Sequence, residues 1–398
     1  MRDINIEKKI PSYIWDVCRR FYGVGEDAYV VGGSLRDIML DREPSDFDLA
    51  ASALPSVTSR LFSDMRVIET GIKHGTVTVI VEGAPIEITT FRIDGSYTDS
   101  RHPDGVSFTG RIEEDLARRD FTVNAMAYND RAGLVDPFGG RDDLSRKIIR
   151  AVGDSRKRFS EDALRIMRAF RFSAQLGFEI EQDTLSGAIV CREGLANIAR
   201  ERIAVELLKL ITSDEPQNAL SLMSRSGVLA YITGEYLPDE DTVRLLSQMP
   251  KDEGARLGFL LVGADEPAAK EILRSLKISN VLSTAALAVR RGALKRIEDP
   301  ADARRLIGEC GIHAKNAAAA SVLLGNSIAD APIWVEKNNA PTSLRDLKVT
   351  GKDLMDIGIT GKNVGITLNG LLRAVIEEPS LNEKQTLLEM AKMSIDRI

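Results

Sequence analysis

The chain has 398 residues, 43% of them hydrophobic and 28% charged, and its 53 basic and 59 acidic residues give a formal net charge of −6. This length is enough for two to four domains with buried cores. A negative total ordinarily argues against a nucleic-acid partner, but clustered positive groups create a local field that the total hides, so a local, salt-dependent contact with RNA stays open.

Cysteine, histidine and apolar patterns exclude several classes of protein. The three cysteines contain no CxxC pair, which is typical of reduced thiols in a cytosol. The three histidines lack metal-ligand spacing, which argues against a histidine-based phosphohydrolase. The N-terminus has no apolar signal core and no window reaches the length of a membrane span, so we expect a soluble, cytoplasmic protein without membrane contact.

The first predicted strand, residues 28–31, runs through Gly32 and Gly33 into the helical segment SLRDIML. Glycines let backbone N–H groups approach a phosphate, a helix N-terminus favours an anion, and Arg36 adds donors about one turn further on. A tight strand-to-helix turn is the plainer interpretation of these residues. We interpret Gly33 and Arg36 as nucleotide-binding because an Asp-x-Asp motif follows about ten residues later.

That motif consists of Asp46 and Asp48, separated by one residue in a strand-like run. The two-residue period of a strand places both carboxylates on one face, while Phe47 and Leu49 point into a core. Adjacent carboxylates repel each other unless a cation lies between them, and Mg²⁺ is the usual cation at a nucleotide site. We therefore expect Asp46 and Asp48 to hold a catalytic metal ion.

Two alternating segments within residues 76–91 flank the turn EGAP and predict a β-hairpin. In the second segment Glu87 faces away from the isoleucines on either side. It is either a third metal ligand or an ordinary exposed strand residue. The polar, glycine- and proline-punctuated residues 95–108 predict a loop.

Two charged segments follow. The run RRDFTVNA begins at Arg118, and on residue grounds either Asp120 or Thr122 caps a helical run. The segment EDALRIMRAFRF, residues 161–172, consists of helix formers, so Asp162 and Arg165 are neighbours on one surface, where a plain ion pair is the commoner outcome. The arginines that continue this three-residue step, with the basic run just before them, form a positive strip that suits a triphosphate.

Beyond residue 177 the pattern becomes all-helical, with polar breaks at 213–217 and 237–241. Turn formers at 325–343 precede a last segment. There, five residues at turns before predicted helices either hold RNA phosphates or serve as ordinary caps. They are Gly351, Lys352, Gly361, Lys362 and Gly365.

The runs VVGGSLRDIMLDREPSDFDLA, RRDFTVNA, DPFGGRDDL and RFSEDALRIMRAFRF resemble, in order, the motifs of class II tRNA nucleotidyltransferases and bacterial poly(A) polymerases. Size, spacing and tail are most similar to the compact CCA-adding enzymes of Gram-positive-type bacteria. The resemblance implies an α+β fold. A polymerase-β-like nucleotidyltransferase head (residues 1–150) is followed by an all-helical neck (151–212), body (213–330) and tail (331–398).

The same resemblance implies residue roles. It assigns Arg119 to the incoming nucleotide, Asp162 and Arg165 to the base, and Arg168 and Arg171 to the nucleotide pocket. An ionised aspartate only accepts hydrogen bonds and an arginine only donates them. Such a pair satisfies the amino group and unprotonated ring nitrogen of C or A and opposes U and G, which can discriminate by about ten-thousand-fold.

The implied activity is template-independent addition of CCA to the 3′ end of tRNA, in which the RNA 3′-hydroxyl attacks the α-phosphate of CTP or ATP with Mg²⁺ on Asp46 and Asp48. The expected partners are CTP, ATP and tRNA, contacted at its acceptor stem and 3′ end and, through the tail, at its elbow. We expect a monomer or a homodimer.

Two alternatives stay open. One is an A-adding tRNA nucleotidyltransferase or a poly(A) polymerase. The loop at 95–108 resembles one that full CCA-adding and A-adding enzymes share, and it argues only against a CC-adding enzyme. The other is a catalytically silent RNA- or nucleotide-binding protein, against which the intact pair Asp46 and Asp48 argues.

Overall fold

The structure is a computed structural model that describes residues 3–95 and 105–395. The chain forms two compact units, Met1–Leu210 with Asn218–Ile232 and Ile211–Gln217 with Thr233–Ile398. Most of the predicted loop at 95–108, including His102, lies outside the described residues. Among the described residues, no helix is both long and apolar enough to cross a membrane.

All strands of the described chain lie in its first 180 residues. They are β1 Ala28–Val31, β2 Asp48–Ala51, β3 Arg66–Ile68, β4 Thr76–Val81, β5 Ala84–Thr90, β6 Arg92–Asp94, β7 Val106–Phe108, β8 Ala127–Asn129, β9 Gly133–Val135, β10 Ile148–Ile149 and β11 Glu179–Ile180. Seven of them form one mixed sheet in the order β3-β4-β5-β2-β1-β8-β9. Strands β6 and β7 pair antiparallel, and β10 and β11 pair parallel.

The helices of the described residues, in chain order, are α1 Ile4–Glu7, α2 Ser12–Gly23, α3 Gly33–Met39, α4 Pro55–Leu61, α5 Ile112–Ala117, α6 Gly140–Arg146, α7 Ser155–Glu161, α8 Leu164–Leu176, α9 Gln182–Cys191, α10 Arg200–Ile211, α11 Pro216–Arg225, α12 Ala230–Thr233, α13 Glu240–Leu245, α14 Glu253–Leu260, α15 Glu266–Ser275, α16 Asn280–Ala293, α17 Pro300–Cys310, α18 Ala314–Leu323, α19 Ala331–Glu336, α20 Gly351–Asp356, α21 Lys362–Glu377 and α22 Lys384–Ile395. Short 3₁₀ turns occur at Ile72–His74, Thr122–Asn124, Arg192–Asn197, Leu246–Gln248, Gly311–His313, Leu344–Asp346 and Pro379–Leu381.

The predicted hairpin is confirmed, with β4 and β5 joined by a two-residue turn. Glu82 and Gly83 have φ of 51° and 85°, the left-handed pair that matches the twist of a tight hairpin. The valines of β4 and the two isoleucines of β5 are buried, and the residues that alternate with them, Ile80 among these, are partly or fully exposed. This alternation fixes which side chains face the core and which face away from it.

The core of the sheet follows from the same patterns. All four residues of β1 are buried, and the strand lies inside the sheet, paired with β2 on one edge and with β8 on the other. Tyr29, Val31 and Ala50 pack with Phe91 and with Leu116 of α5 in one buried cluster. This cluster holds rigid the sheet whose strand ends carry the predicted carboxylates.

Two element predictions are wrong. The helical run predicted after Asp120 is a 3₁₀ turn, Thr122–Asn124, followed by strand β8. The region beyond Gly177 is not entirely helical, because β11 pairs with β10. Both differences arise from pairing with distant strands, which overrides local propensity.

The second unit is helical throughout the part that the structure describes. One buried cluster includes Leu306 and Ala317 of α17 and α18, and another includes Leu354 and Leu371 of α20 and α21. Gly351, Lys352, Gly361 and Lys362 lie at the starts of α20 and α21. Gly365 lies inside α21, so its predicted place in a turn is wrong.

Candidate active site

The first unit contains a polar cavity of about 580 Å³. Val31 lines it at the end of β1 and Asp48 at the start of β2. Its charged lining consists of eight arginines and four carboxylates: Arg36, Arg92, Arg118, Arg119, Arg165, Arg168, Arg171, Arg202, Asp48, Glu87, Asp120 and Asp162. Its size is typical of a small-molecule site, and the arginine excess favours an anionic ligand.

The cavity brings together eight of the nine predicted site residues. These are Gly33, Arg36, Asp48, Arg119, Asp162, Arg165, Arg168 and Arg171. Asp46 lies outside this lining and contributes to a smaller cavity of about 290 Å³ together with Ser45 and Phe47. The glycine turn with Asp48 and the segment 161–172, which are far apart in the sequence, therefore meet in one cavity.

Two carboxylates of the cavity, Asp48 and Glu87, lie on neighbouring strands of the sheet, and we call this part of the site the sheet edge. Asp46 and Asp48 are exposed and alternate with buried Phe47 and Leu49, although the strand itself begins only at Asp48. Strand β2 pairs parallel with β5, and this register sets Glu87 directly opposite Asp48. Although Asp48 has solvent-exposed surface, the protein atoms around its carboxyl group desolvate it, and this desolvation, followed by the charges of Asp46 and Glu87, raises the pKa of Asp48 to about 6 despite the opposing charge of Arg119.

The repulsion among these carboxylates bears on metal binding. Within residues 3–95 and 105–395, no three histidine, cysteine or carboxylate side chains are already arranged around a metal position. The chemistry of the donor set nevertheless fits a divalent ion, because oxygen ligands whose charges repel one another are stabilised by a hard cation. Asp46, Asp48 and Glu87 are the residues that could hold it.

The turn after β1 is specific to glycine at one position. Gly32 has φ 72° and ψ −135°, a region that side chains avoid, and a Cβ there would lie 3.1 Å from Nη1 of Arg119. Helix α3 begins at Gly33 and carries Arg36, which donates from Nη1 to Oδ1 of Asn124 at 2.8 Å. The turn thus brings two arginines beside an open backbone.

Arg119 is oriented by a carboxylate that sequence reasoning missed. Asp115, fully buried on α5, accepts hydrogen bonds from Arg118 at 2.8 Å and from Arg119 at 3.2 Å. Burial alone raises the pKa of Asp115, but the charges of the two arginines outweigh it and hold that pKa below its usual value. Asp115 thus fixes the guanidinium of Arg119 at the cavity wall, where its Nε is buried without a hydrogen-bond partner.

The helix predicted to carry Asp162 and Arg165 is interrupted. Helix α7 ends at Glu161, Asp162 is extended with φ −143° and ψ 104°, and α8 begins at Leu164. Oδ1 of Asp162 accepts a hydrogen bond from the Leu164 N–H at 3.0 Å, a local bond that competes with helix continuation. The prediction of one continuous helical turn between Asp162 and Arg165 is wrong, although both residues line the cavity.

The partners of these two residues also differ from the predicted pair. Arg165 forms a salt bridge with Glu161 at 2.7 Å and donates to the backbone oxygen of Arg118. Asp162 accepts from Nη2 of Arg202 on α10 at 2.9 Å. Each side chain is therefore held by a different partner. Asp162 and Arg165 do not bind each other, so the carboxylate can still accept and the guanidinium can still donate hydrogen bonds to a ligand.

Deeper in the cavity, the positive strip is held by buried acids. Arg168 binds Asp120 at 2.6 Å, and Arg171 binds the buried Glu206 of α10. Although burial raises the pKa of Asp120, the charge and hydrogen bonds of Arg168 lower it to about 2. The guanidinium of Arg171 also lies 3.9 Å from the ring centre of Phe172. Asp120, predicted as a cap, instead anchors an arginine of the site.

The chain matches three described families in order along its length. Residues 28–150 match the "Poly A polymerase head domain". Residues 177–238 match the "Probable RNA and SrmB-binding site of polymerase A", and residues 252–391 match "tRNA nucleotidyltransferase domain 2". The mixed sheet, the carboxylate edge and the arginine-lined cavity define a nucleotidyltransferase of this α+β class.

Similar proteins identify the family within this class. A CCA-adding enzyme of Levilactobacillus brevis is 37% identical over 92% of this chain and 93% of that protein. One of Leuconostoc mesenteroides subsp. mesenteroides is 47% identical over 58% of this chain, an alignment that spans about half, 56%, of that protein. The Bacillus stearothermophilus CCA-adding enzyme, crystallised with CTP, superposes with a TM-score of 0.83 at 32% identity, over 97% of this chain and 99% of that one. The chain belongs to the family of CCA-adding enzymes.

Proposed function

We propose that this chain adds CCA to the 3′ end of tRNA from CTP and ATP, without a nucleic-acid template. One observation carries the proposal: a single cavity joins a carboxylate edge suited to phosphoryl transfer with an acidic and a basic side chain suited to a base edge. The names of the relatives in the same family support CCA as the sequence added. The A-adding and silent alternatives have no observation in their favour.

The reaction joins the RNA 3′-oxygen to the α-phosphorus and breaks the bond from that phosphorus to the bridging oxygen, so that pyrophosphate leaves. Asp46 and Asp48 would hold a divalent ion, proposed as Mg²⁺ because the donors are hard oxygens, and this ion would neutralise charge at the phosphate and acidify the attacking hydroxyl. Glu87, opposite Asp48 in the strand register, would be a third ligand.

The arginines bind the rest of the triphosphate. Gly33 lies beside the guanidinium of Arg36 at the cavity wall, and Arg36 and Arg119 donate to the phosphate oxygens from fixed positions. Arg168 and Arg171, already oriented by buried acids, keep the pocket positive. Preorganised charge of this kind needs no reorganisation when the phosphate charge shifts in the transition state.

Base selection rests on Asp162 and Arg165. An ionised carboxylate has about four lone-pair positions, and Asp162 uses two of them for Leu164 and Arg202. The others accept the exocyclic amino group of C or A, while Arg165 donates to the unprotonated ring nitrogen. U and G present a carbonyl oxygen to Asp162 and an N–H to Arg165, and both contacts are unfavourable.

We further propose that the head (1–150) and neck (151–212) carry this chemistry while the body (213–330) and tail (331–398) hold tRNA. The starts of α20 and α21, with Lys352 and Lys362, are the tail positions proposed for phosphate contact. All three cysteines are free thiols, which supports a cytoplasmic location.

The test uses the full chain and a tRNA that ends at its discriminator base. The RNA is incubated with CTP alone, ATP alone and both, and the product ends are sequenced. We expect two C residues with CTP alone and CCA followed by arrest with both. Addition of A without C, an unlimited A tail, or no addition at all would refute the proposal.

A further inference from the structure

Helix α10 contributes two charged side chains to the cavity region. Arg202 and Glu206 are four residues apart and therefore lie on one face of the helix. Arg202 pairs with Asp162, and Glu206 pairs with Arg171. Neither α10 residue belongs to a predicted site motif, and in the proposed mechanism α10 only supplies ion-pair partners.

Arg202 fixes the direction of the Asp162 carboxylate. Its Nη2 donates to Oδ2 at 2.9 Å, while the backbone N–H of Leu164 donates to Oδ1 at 3.0 Å. With a donor on each oxygen, rotation about the last side-chain bond of Asp162 breaks a hydrogen bond. Without Arg202, only the Leu164 N–H would restrain the carboxylate.

A second observation indicates that Arg202 serves the cavity rather than the helix alone. Its side chain is 28% exposed, yet its Nη1 is buried and has no hydrogen-bond partner, and the residue lines the cavity. Buried guanidinium donors are normally satisfied, because an unpaired one costs stability. Arg202 therefore borders the cavity with one guanidinium nitrogen committed to Asp162 and another left unpaired.

We propose that Arg202 is a specificity-determining positioning residue that holds Asp162 rigid against U and G. Rejection of a wrong base requires an acceptor that cannot turn away from an opposing carbonyl oxygen, because a mobile carboxylate relieves the repulsion by rotating. Arg202 supplies that rigidity. This inference rests on the proposed function, since it assumes that Asp162 reads the base.

The test compares Arg202→Gln with the wild-type full chain, using CTP, ATP and UTP on a tRNA that ends at the discriminator base or at CC. We expect the preference for CTP over UTP to fall about ten- to one-hundred-fold, the range for a lost hydrogen bond to a charged group. KM for CTP should rise with little change in kcat, because the base contact is made before the transition state. Arg202→Lys should keep part of the preference that Arg202→Gln loses, since lysine retains the positive charge but lacks the forked donors of the guanidinium.

Arg200→Gln is the matched control. Arg200 lies on the same helix and donates to the backbone oxygen of Tyr231 at 2.6 Å, but it does not line the cavity. Its loss should leave base preference unchanged. Thermal unfolding of each variant separates a change in preference from a loss of fold, and Arg202→Lys keeps the test open if Arg202→Gln does not fold.

A double-mutant cycle provides the decisive readout. In an Asp162→Ala background, Arg202→Gln should cause no further loss of preference, because the residue acts through Asp162. Wild-type preference in Arg202→Gln, or losses that add in the double variant, would overturn the inference. If Asp162→Ala itself keeps the preference for CTP, the proposed base reader is wrong, which is a different and distinguishable failure.

Discussion

The two ends of the cavity are built on opposite electrostatic principles. At the sheet edge, Asp48 lies beside two like charges and its pKa is raised to about 6 by burial and by those charges. The other end holds the proposed base readers Asp162 and Arg165 together with the arginine strip, and we call it the base-reading end for this proposed role. There, acids and arginines are matched in pairs, such as Asp162 with Arg202 and Asp120 with Arg168. One end is left in need of an external cation, whereas the other is preorganised by the protein itself.

The largest expected effect comes from removing charge at the sheet edge. The double change Asp46→Asn and Asp48→Asn should reduce nucleotide transfer by at least about a thousand-fold, because the metal ligands are lost. Binding of tRNA should persist. Unfolding free energy should stay equal or rise, since repulsion with Glu87 is relieved.

Single-turnover transfer and urea unfolding measure both quantities. Asp41→Asn is the control, because Asp41 is an exposed surface residue paired with Lys9, and it should change neither. Retention of transfer in the double variant would break the distinction between the two ends of the cavity.

The next effect concerns the base-reading end. Asp162→Ala should lower the preference for CTP over UTP by about a hundred-fold or more, because the acidic acceptor that we propose faces the base is removed. Competition between the two nucleotides on one tRNA measures it. The exposed Asp183 gives a matched Asp→Ala control with no expected change. Clean exclusion of U by the Asp162 variant would place base reading elsewhere.

A smaller effect is expected from the arginine anchor. Asp120→Asn leaves the guanidinium of Arg168 without its 2.6 Å partner. We expect KM for CTP and ATP to rise about tenfold and the unfolding free energy to fall by about 2 kcal/mol, since a partly buried charge loses its counter-charge. Steady-state kinetics and urea unfolding measure these changes. Unchanged values would show that the pair does not organise the pocket.

The smallest effect is a pH dependence. The pKa of Asp120 is about 2 in the fold against an ordinary 3.8, so ionised Asp120 stabilises the fold at neutral pH and this contribution is lost as pH falls through that window. About 1 kcal/mol of it should be gone at pH 3. The stability gap between wild type and Asp120→Asn should therefore narrow between pH 5 and pH 3, and a constant gap would contradict the assignment.

The sequence predicts the sheet edge better than the base-reading end, for physical reasons. The strand, the glycine turn and the Asp-x-Asp motif are local patterns within about twenty residues. The choice between Glu87 as a site residue and Glu87 as an ordinary strand residue depends on the parallel register of β2 with β5. No local sequence pattern contains that register. The break at Asp162 had a local signal, because aspartate favours caps over helix interiors, but the strong helix formers around it concealed that signal.

The anchors of the base-reading end lie far away along the chain. Arg202 is 40 residues from Asp162, and Asp120 is 48 residues from Arg168. Charged residues at such separations carry no periodicity that links them, so Arg202, Glu206 and the role of Asp120 emerge only from the fold. The role of Asp115 had a local sequence signal, because it lies three and four residues before the two arginines that it binds, a spacing that favours ion pairs on a helix.

The most direct test of the account is a crystal structure of this chain with bound CTP. We predict an oxygen of Asp162 within about 3 Å of the cytosine amino nitrogen and a guanidinium nitrogen of Arg165 within about 3 Å of the ring nitrogen. The triphosphate should lie against Arg36 and Arg119. A cytosine edge that faces solvent, or that meets other side chains while Asp162 and Arg165 point away, would contradict the claim that protein side chains choose the nucleotide.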